Sequence, residues 1–364
     1  MLITILGEKV KKIVTFIFVF VLFLLSSLSY SQSDDINKTL SNLSTSAAKP
    51  YVNPVISAFG SNLNSGWVSK LPSDKMFSFN LDLKIVGMGS FFDNNEKTFS
   101  TTGAFRFTSS QADQLVAGLP AAVRADIKNQ ILSQDFNVSI AGPTIIGSGT
   151  DRVKVTFAGQ SFTSNGQSFS VAAQTFTLNE VKGFLDNLDV LPTAAVQLGI
   201  GTFAGTNFMF RWLPDVDIKD LGTFSFWGVG ALHNPAVWFD GKMPFDLAFG
   251  GFYQKLTVGS IFETTASQFG VYISKTFGSI IAVTPYMGAT TETSTTTINY
   301  DYNFDEVVNG IPVTTKSNVN FELDGKNTVG LTVGASFKLA ILNFNVDYKI
   351  ANIKTLTAGL NFGF

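Results

Sequence analysis

The feature that most constrains this chain is a set of strictly alternating stretches with no membrane-length apolar run among them. From Val329 the apolar residues fall on odd positions through Leu331, Val333, Ala335, Phe337 and Leu339, with Gly330, Thr332, Gly334, Ser336 and Lys338 between them. The phase then switches to even positions: Leu342, Phe344, Val346, Tyr348 and Ile350 against Asn343, Asn345, Asp347 and Lys349. A last stretch sets Leu356, Ala358, Leu360, Phe362 and Phe364 against Thr357, Gly359, Asn361 and Gly363. Successive strand side chains point to opposite faces, so each stretch has one greasy face and one polar face. A soluble sandwich alternates too. Here, however, the polar face is rich in Gly and small polar residues, as a solvated lumen permits. The apolar faces also run unbroken for about nine to eleven residues, the length a tilted strand needs to cross a bilayer. Only helices and closed barrels satisfy the backbone in lipid. Beyond residue 31 no apolar run approaches the ~18 residues of a spanning helix.

Further alternating segments lie at 76–87, 98–107, 151–158, 168–178, 194–203, 206–213, 222–232, 245–256, 268–277, 280–289 and 317–323. The expectation is an all-β, transmembrane antiparallel β-barrel of about 14 strands, with 12 as the lower count. Short turns fall at Phe277-Gly278-Ser279 and at Ala340, whereas 290–316 reads as the ends of two strands around a long polar hairpin. Short turns on one side and long loops on the other are the habit of such barrels.

Two regions break the alternation. In 35–48, Ile36, Leu40, Leu43 and Ala47 stand at helical spacing ahead of Pro50 and Pro54. In 110–134, Leu115, Leu119, Val123, Ile127 and Ile131 do the same, and Pro120 suits a helix start rather than its interior. Each reads either as a rim helix or as a segment that fills the lumen. For the first, Val55, Ile56, Phe59, Leu63 and Trp67 need a surface to bury against, and a lumen lined by Phe252, Leu256 or Tyr272 supplies one. Tyr51 to Trp67 is therefore expected to block part of the lumen.

Residues 1–31 read as a cleaved secretory signal peptide. Lys9, Lys11 and Lys12 precede an apolar core from Ile13 to Leu25, and Ser29 and Ser31 stand at the −3 and −1 positions before Gln32. The chain then divides into an N-terminal helical and loop segment at 32–75 and a barrel at 76–364 with a helical insertion near 110–134. The expected location is a Gram-negative outer membrane.

Composition narrows the chemistry. With no Cys and one His, cysteine catalysis and Cys-ligated metals are excluded. A net charge of −2 argues against nucleic acid, which needs a basic face. His233, followed by Asn234, lacks the orienting group and nucleophile of a hydrolase site, and no G-x-S-x-G turn exists. No enzyme, cofactor or metal site is expected. Asp215, Asp217 and Asp220 cluster as Ca²⁺ ligands would, but read better as a solvated loop. Arg106 and Arg211 each sit between strand aromatics, so they face the lumen if the aromatics face lipid. There they either form salt bridges, anchor a plug, or hold a ligand such as an anionic head group, with His233 and Asn234 as further candidate ligand-binding residues.

The final aromatic strand, with Leu356, Leu360, Phe362 and Phe364, resembles the signal that outer-membrane insertion machinery reads. The blocks LPTAAVQLGIGTFAGTNFMFRWLPDVDI (191–218), GVGALHNPAVW (228–238), MPFDLAFGGFYQKL (243–256) and PYVNPVISAFGSNLNSGW (50–67) resemble an uncharacterised barrel family of Bacteroidota. A weaker resemblance is to the outer-membrane long-chain fatty-acid transporters, which implies 14 strands and an N-terminal hatch, although no motif specific to them is present. Partners implied are membrane lipids and lipopolysaccharide, the insertion machinery and a small hydrophobic ligand. The functional expectation is a porin-like passive channel or binding and transport barrel for small, hydrophobic molecules. The alternative is a structural or interaction barrel, such as a subunit of a secretion or surface assembly.

Overall fold

The structure, a computed structural model, describes Leu40 and residues 43–218, 222–239, 243–308 and 311–363. The expected leader at 1–31 and Phe364 lie outside the described residues.

After helix α1 (Thr45–Leu63) the chain turns back into β1 (Phe77–Phe91). An inserted unit follows, with β2 (Thr98–Phe105), α2 (Ser109–Val116), α3 (Ala121–Leu132), β3 (Phe136–Pro143), β4 (Val153–Phe157), β5 (Gln160–Ser164), β6 (Gln167–Val171) and β7 (Gln174–Leu178). The chain then runs through β8 (Val190–Phe203), β9 (Thr206–Ile218), β10 (Gly222–His233), β11 (Asp246–Val258), β12 (Phe262–Ser274), β13 (Phe277–Gly278) and β14 (Ile281–Val308). It finishes with β15 (Ile311–Asp324), β16 (Val329–Leu339), β17 (Leu342–Ile350) and β18 (Thr355–Gly363).

Ten strands close into an antiparallel barrel, β1-β8-β9-β10-β11-β12-β14-β16-β17-β18, with β13 and β15 outside the ring. Closure is the pairing of β1 with β18, from Asp82 opposite Gly363 to Ser90 opposite Thr355. A closed ring leaves no unpaired strand edge. The lower end is where β1 begins and β18 finishes. Its turns include Ala204-Gly205, whose positive φ values of 46° and 71° suit the tight hairpin between β8 and β9. At the upper end the insertion leaves β1, and the β14–β15 hairpin projects beyond the ring, paired from Thr295–Asp324 to Val308–Ile311. The expected hairpin at 290–316 is this element.

The expected 14 strands are corrected to ten. Segments 98–107, 151–158 and 168–178 belong to the insertion, where β2-β3-β4-β7 form one sheet and β5-β6 a hairpin. Segment 317–323 is β15, in the projecting hairpin. The insertion strands bury Phe136, Val138, Ile140, Val153, Val155 and Phe157 and expose Asn137, Ser139, Lys154 and Thr156. The ring does the reverse. Phe269, Val271, Ile273, Val283, Met287, Leu331, Val333, Phe344 and Val346 are exposed, while Lys84, Arg211, Gln254, Glu292, Asp347 and Lys349 are buried inside. Period two is the same in both cases, so alternation alone cannot say which face is solvent. The expected helical region near 110–134 is the pair α2 and α3, with Pro120 as the N-cap of α3, and it belongs to the insertion rather than to the wall.

The outward apolar band has edges. On β14 the outward residues run Ile281, Val283, Pro285, Met287 and Ala289, then change to Thr291, Thr293, Thr295 and Thr297. On β12 they run Ile273, Val271 and Phe269, then Ser267, Thr265 and Glu263. From Ile281 to Ala289 is about 27 Å of strand, or about 21 Å of height at the ~40° tilt usual for barrels.

Candidate functional site

The interior of the ring is occupied by the chain's own residues 58–72, from Ala58 at Ser90 to Pro72 at Asn234. Helix α1 continues through Pro50 and Pro54, where the sequence suggests a break. A helix-interior proline removes one backbone hydrogen bond and crowds the preceding turn. The Tyr51 carbonyl accepts from the Ile145 amide at 3.0 Å, which ties this part of the helix to the insertion. The Tyr51 phenol donates to the Lys182 carbonyl at 2.8 Å, and burial pushes its pKa well above the ordinary range, which keeps it a donor. Val55, Ile56, Phe59, Leu63 and Trp67 are all buried.

Below the helix the segment descends in order. Asn62 donates to the Leu191 carbonyl and Thr193 hydroxyl, both at 2.9 Å. The Trp67 carbonyl accepts from Gln197 at 3.2 Å, and the Met76 carbonyl from the Ala204 amide. Residues 62 and 67 thus meet β8 at 191–193 and 197, and residue 76 meets the turn after it at 204. On β18 the same order holds, with the Ser61 hydroxyl 2.7 Å from that of Thr355 and Ser69 Oγ 3.0 Å from Asn361 Nδ2.

The last carbonyls of a helix have no partner within it, and they form the negative end of its dipole. In this barrel the wall supplies the partners. Lys349 Nζ donates to the carbonyls of Ser61 (3.0 Å) and Asn64 (3.3 Å). Gln254 donates to the Leu63 carbonyl. Arg211 Nη1 donates to the Ser65 carbonyl at 2.9 Å, and Lys84 Nζ to that of Gly66 at 2.8 Å. Arg211 also gives Nε and Nη2 to Gln197 Oε1 at 3.1 and 2.9 Å, and its guanidinium carbon lies 4.0 Å from the centre of the Trp67 ring. Lys349 is further paired with Glu292 at 2.9 Å, with side chains 1% and 0% exposed. Asp347 accepts from Tyr286 at 2.8 Å.

Lower down, Trp67 stacks on Phe252 with centroids 4.8 Å apart, within an apolar cluster that adds Val68, Leu71, Met209, Leu232 and Tyr272. A cavity of about 40 Å³ lies beside it, lined by Lys70, Asp82, Lys84, Asn207, Asn343 and Asn361 among others. That volume holds a few waters and no larger solute.

The residues singled out from sequence fall apart. Arg211 is inside the ring, fully buried. Arg106, expected to face the lumen beside it, instead follows β2 in the insertion and pairs with Asp135 at 2.7 Å, because 98–107 is not wall. His233 ends β10, with Nδ1 3.0 Å from the Thr206 hydroxyl and Nε2 accepting from Trp238 at 3.2 Å. Asn234 is buried and donates to the Pro72 carbonyl at 2.9 Å, where the lumen segment leaves the ring. Arg211, His233 and Asn234 therefore do not converge on one pocket. Leu356 is exposed on the outer face of β18, and Leu360 and Phe362 are half-buried. Asp217 accepts from Thr223 at 2.7 Å, and Asp220 lies outside the described residues. Among the described residues no three His, Cys, Asp or Glu side chains gather as metal ligands would. The sequence reading passed over Lys84 and Lys349. Their signal is a lysine between outward apolar neighbours, Leu83 and Ile85 or Tyr348 and Ile350, in a chain only 14% charged.

Residues 10–364 match a family described as a Family of unknown function (DUF6588), and the chain belongs to it. No curated protein matches the sequence. Among solved structures, the chain is similar to the β domain of the Bordetella autotransporter BrkA, at 8% identity and a TM-score of 0.21, covering 79% of this chain and 100% of that one. It is similar to a loop-deletion mutant of OmpT, an outer membrane protein of Vibrio cholerae, at 8% identity and a TM-score of 0.23, covering 79% and 99%. A further match is the Ralstonia pickettii toluene transporter TbuX, at 9% identity and a TM-score of 0.18, covering 86% and 92%.

Proposed function

We propose that this member of the family is an outer-membrane barrel shut by its own residues 58–72, which anchors the folded insertion at one face of the membrane. It acts as a structural or interaction barrel rather than an open pore. The outward apolar band of about 21 Å is close to the ~25 Å belt of outer-membrane barrels, and it supports the membrane reading. Export by the cleaved leader at 1–31 and insertion guided by the last strand complete that reading. The observation that carries the shut state is the set of wall donors, Lys84, Gln197, Arg211, Gln254 and Lys349, spent on carbonyls of residues 61–67. A lumen built for water would leave these donors to solvent. Neither an enzyme nor a cofactor enters this reading.

A second reading keeps transport, with the segment as a displaceable hatch for a small hydrophobic solute. The cluster of Trp67, Met209, Leu232, Phe252 and Tyr272 in the lower lumen favours it. Liposome swelling separates the two. The shut barrel leaves the permeability of vesicles to small sugars and aromatic solutes at the protein-free level, and removal of residues 33–68 raises it. Swelling with the full-length barrel would favour transport.

A further inference from the structure

The direction of the lumen segment has a consequence for the two ends of the chain. Helix α1 starts outside the ring at the upper end. Tyr300, on the part of β14 beyond the wall, donates to the Leu43 carbonyl at 2.8 Å, and Tyr51 is bonded to the insertion. The segment then meets β8 at 191–193 and 197 and the turn after it at 204, and leaves at the lower end, beside Asn234 and Pro72. The last described residue, Gly363, is also at the lower end, opposite Asp82 near the start of β1. The chain therefore passes once through its own barrel before it begins to build the wall.

We propose that the barrel holds its own lumen segment threaded across the outer membrane, so that the start of α1 stands at the cell surface with the insertion, while the end of β18 faces the periplasm. This inference rests on the membrane reading above. The face is assigned by the loops. The lower end carries the tight turns at 204–205 and 340–341 and the connection 234–245, and the upper end carries short turns at 259–261 and 351–354 together with the two longest excursions, the insertion at 92–189 and the β14–β15 hairpin. Barrels of the outer membrane keep short turns periplasmic and long loops extracellular. The charged contacts fit a single passage, since the cations of the wall meet the segment in chain order: Lys349 at Ser61 and Asn64, Arg211 at Ser65, Lys84 at Gly66. The entry side is set by the start of α1, where the Leu43 carbonyl is held by Tyr300 and Tyr51 by the insertion.

The chain has no cysteine, so single cysteines report position without background. Three full-length variants serve: Asp35→Cys before α1, Lys316→Cys on the exposed hairpin and Ser279→Cys in an exposed lower turn. Intact cells are treated with a 5-kDa polyethylene-glycol maleimide, which does not cross the outer membrane, and then again after permeabilisation. The proposal predicts labelling at 35 and 316 in intact cells and at 279 only after permeabilisation. Labelling at 316 with 35 protected until permeabilisation would overturn the passage. Labelling at 279 with 35 and 316 protected would overturn the assignment of the face. Recovery of all three, labelled, in the soluble fraction would instead overturn the membrane reading beneath the proposal.

Discussion

Lys349→Met is the perturbation with the sharpest expected magnitude. The ammonium holds together three things in the lumen: Glu292 at 2.9 Å and the carbonyls of Ser61 and Asn64. The substitution keeps the volume but leaves the Glu292 carboxylate, 0% exposed, without its cation. Breaking a buried pair in this way costs about 3–5 kcal/mol, since one charge stays desolvated and uncompensated. The variant should unfold earlier in urea after reconstitution in detergent micelles. With a slope of about 3 kcal/mol/M, the midpoint falls by roughly 1–1.7 M. The pair with Glu292→Leu separates the two contributions. Removing both charges should restore all but the ~1–3 kcal/mol of the carbonyls left unsatisfied at the helix end. A single variant within about 0.2 M of the parent, or a double variant no better than the single, would refute the reasoning that Lys349 serves both the wall and the segment.

Three other outcomes are expected. Gly66→Val should destabilise the lumen segment by about 1–3 kcal/mol, because Gly66 has φ of +69° and a β-carbon there would stand 2.6 Å from the Thr357 methyl. It should appear as faster protease cleavage between residues 60 and 75 with the heat-shifted barrel band retained. Phe364 deletion should lower the amount in the outer-membrane fraction while leader removal proceeds, and unchanged amounts would show that the last strand is not read as a signal. Arg106→Ala should leave barrel permeability unchanged, since its partner Asp135 is an exposed residue of the insertion, whereas Arg211→Ala should raise it.

The barrel class was legible because lipid imposes a period of two and an unbroken greasy face, as at Val329–Leu339 and Leu342–Ile350. The count was not. Phe136, Val138 and Ile140 alternate as regularly as wall residues, but their apolar face points into a core. Length gave no clue either, since 168–178 is as long as a wall strand and divides into the five-residue β6 and β7 only in the structure. The upper edge of the belt was also written in the chain, as the change from Met287 and Ala289 to Thr291 and Thr293. The lumen segment showed itself through apolar residues without a strand pattern. Its capping was invisible, because Lys349 and Ser61 are 288 positions apart and a backbone carbonyl leaves no mark in sequence. Pro50 and Pro54 misled for a related reason, since the burial that holds the helix across them, at Tyr51, Val52 and Val55, comes from distant parts of the chain.

The central claim is that the chain's own N-terminal segment shuts the lumen, and one electrical measurement tests it most directly. The Ser61 and Thr355 hydroxyls are 2.7 Å apart, so cysteines at both positions come within disulfide reach and can lock the segment to β18. Single-protein conductance is recorded in a planar bilayer for this variant, oxidised and reduced, beside a barrel lacking residues 33–68. The account predicts no steps for the oxidised barrel and discrete, lasting openings for the truncated one. Openings of the same size in the oxidised, full-length barrel would contradict it.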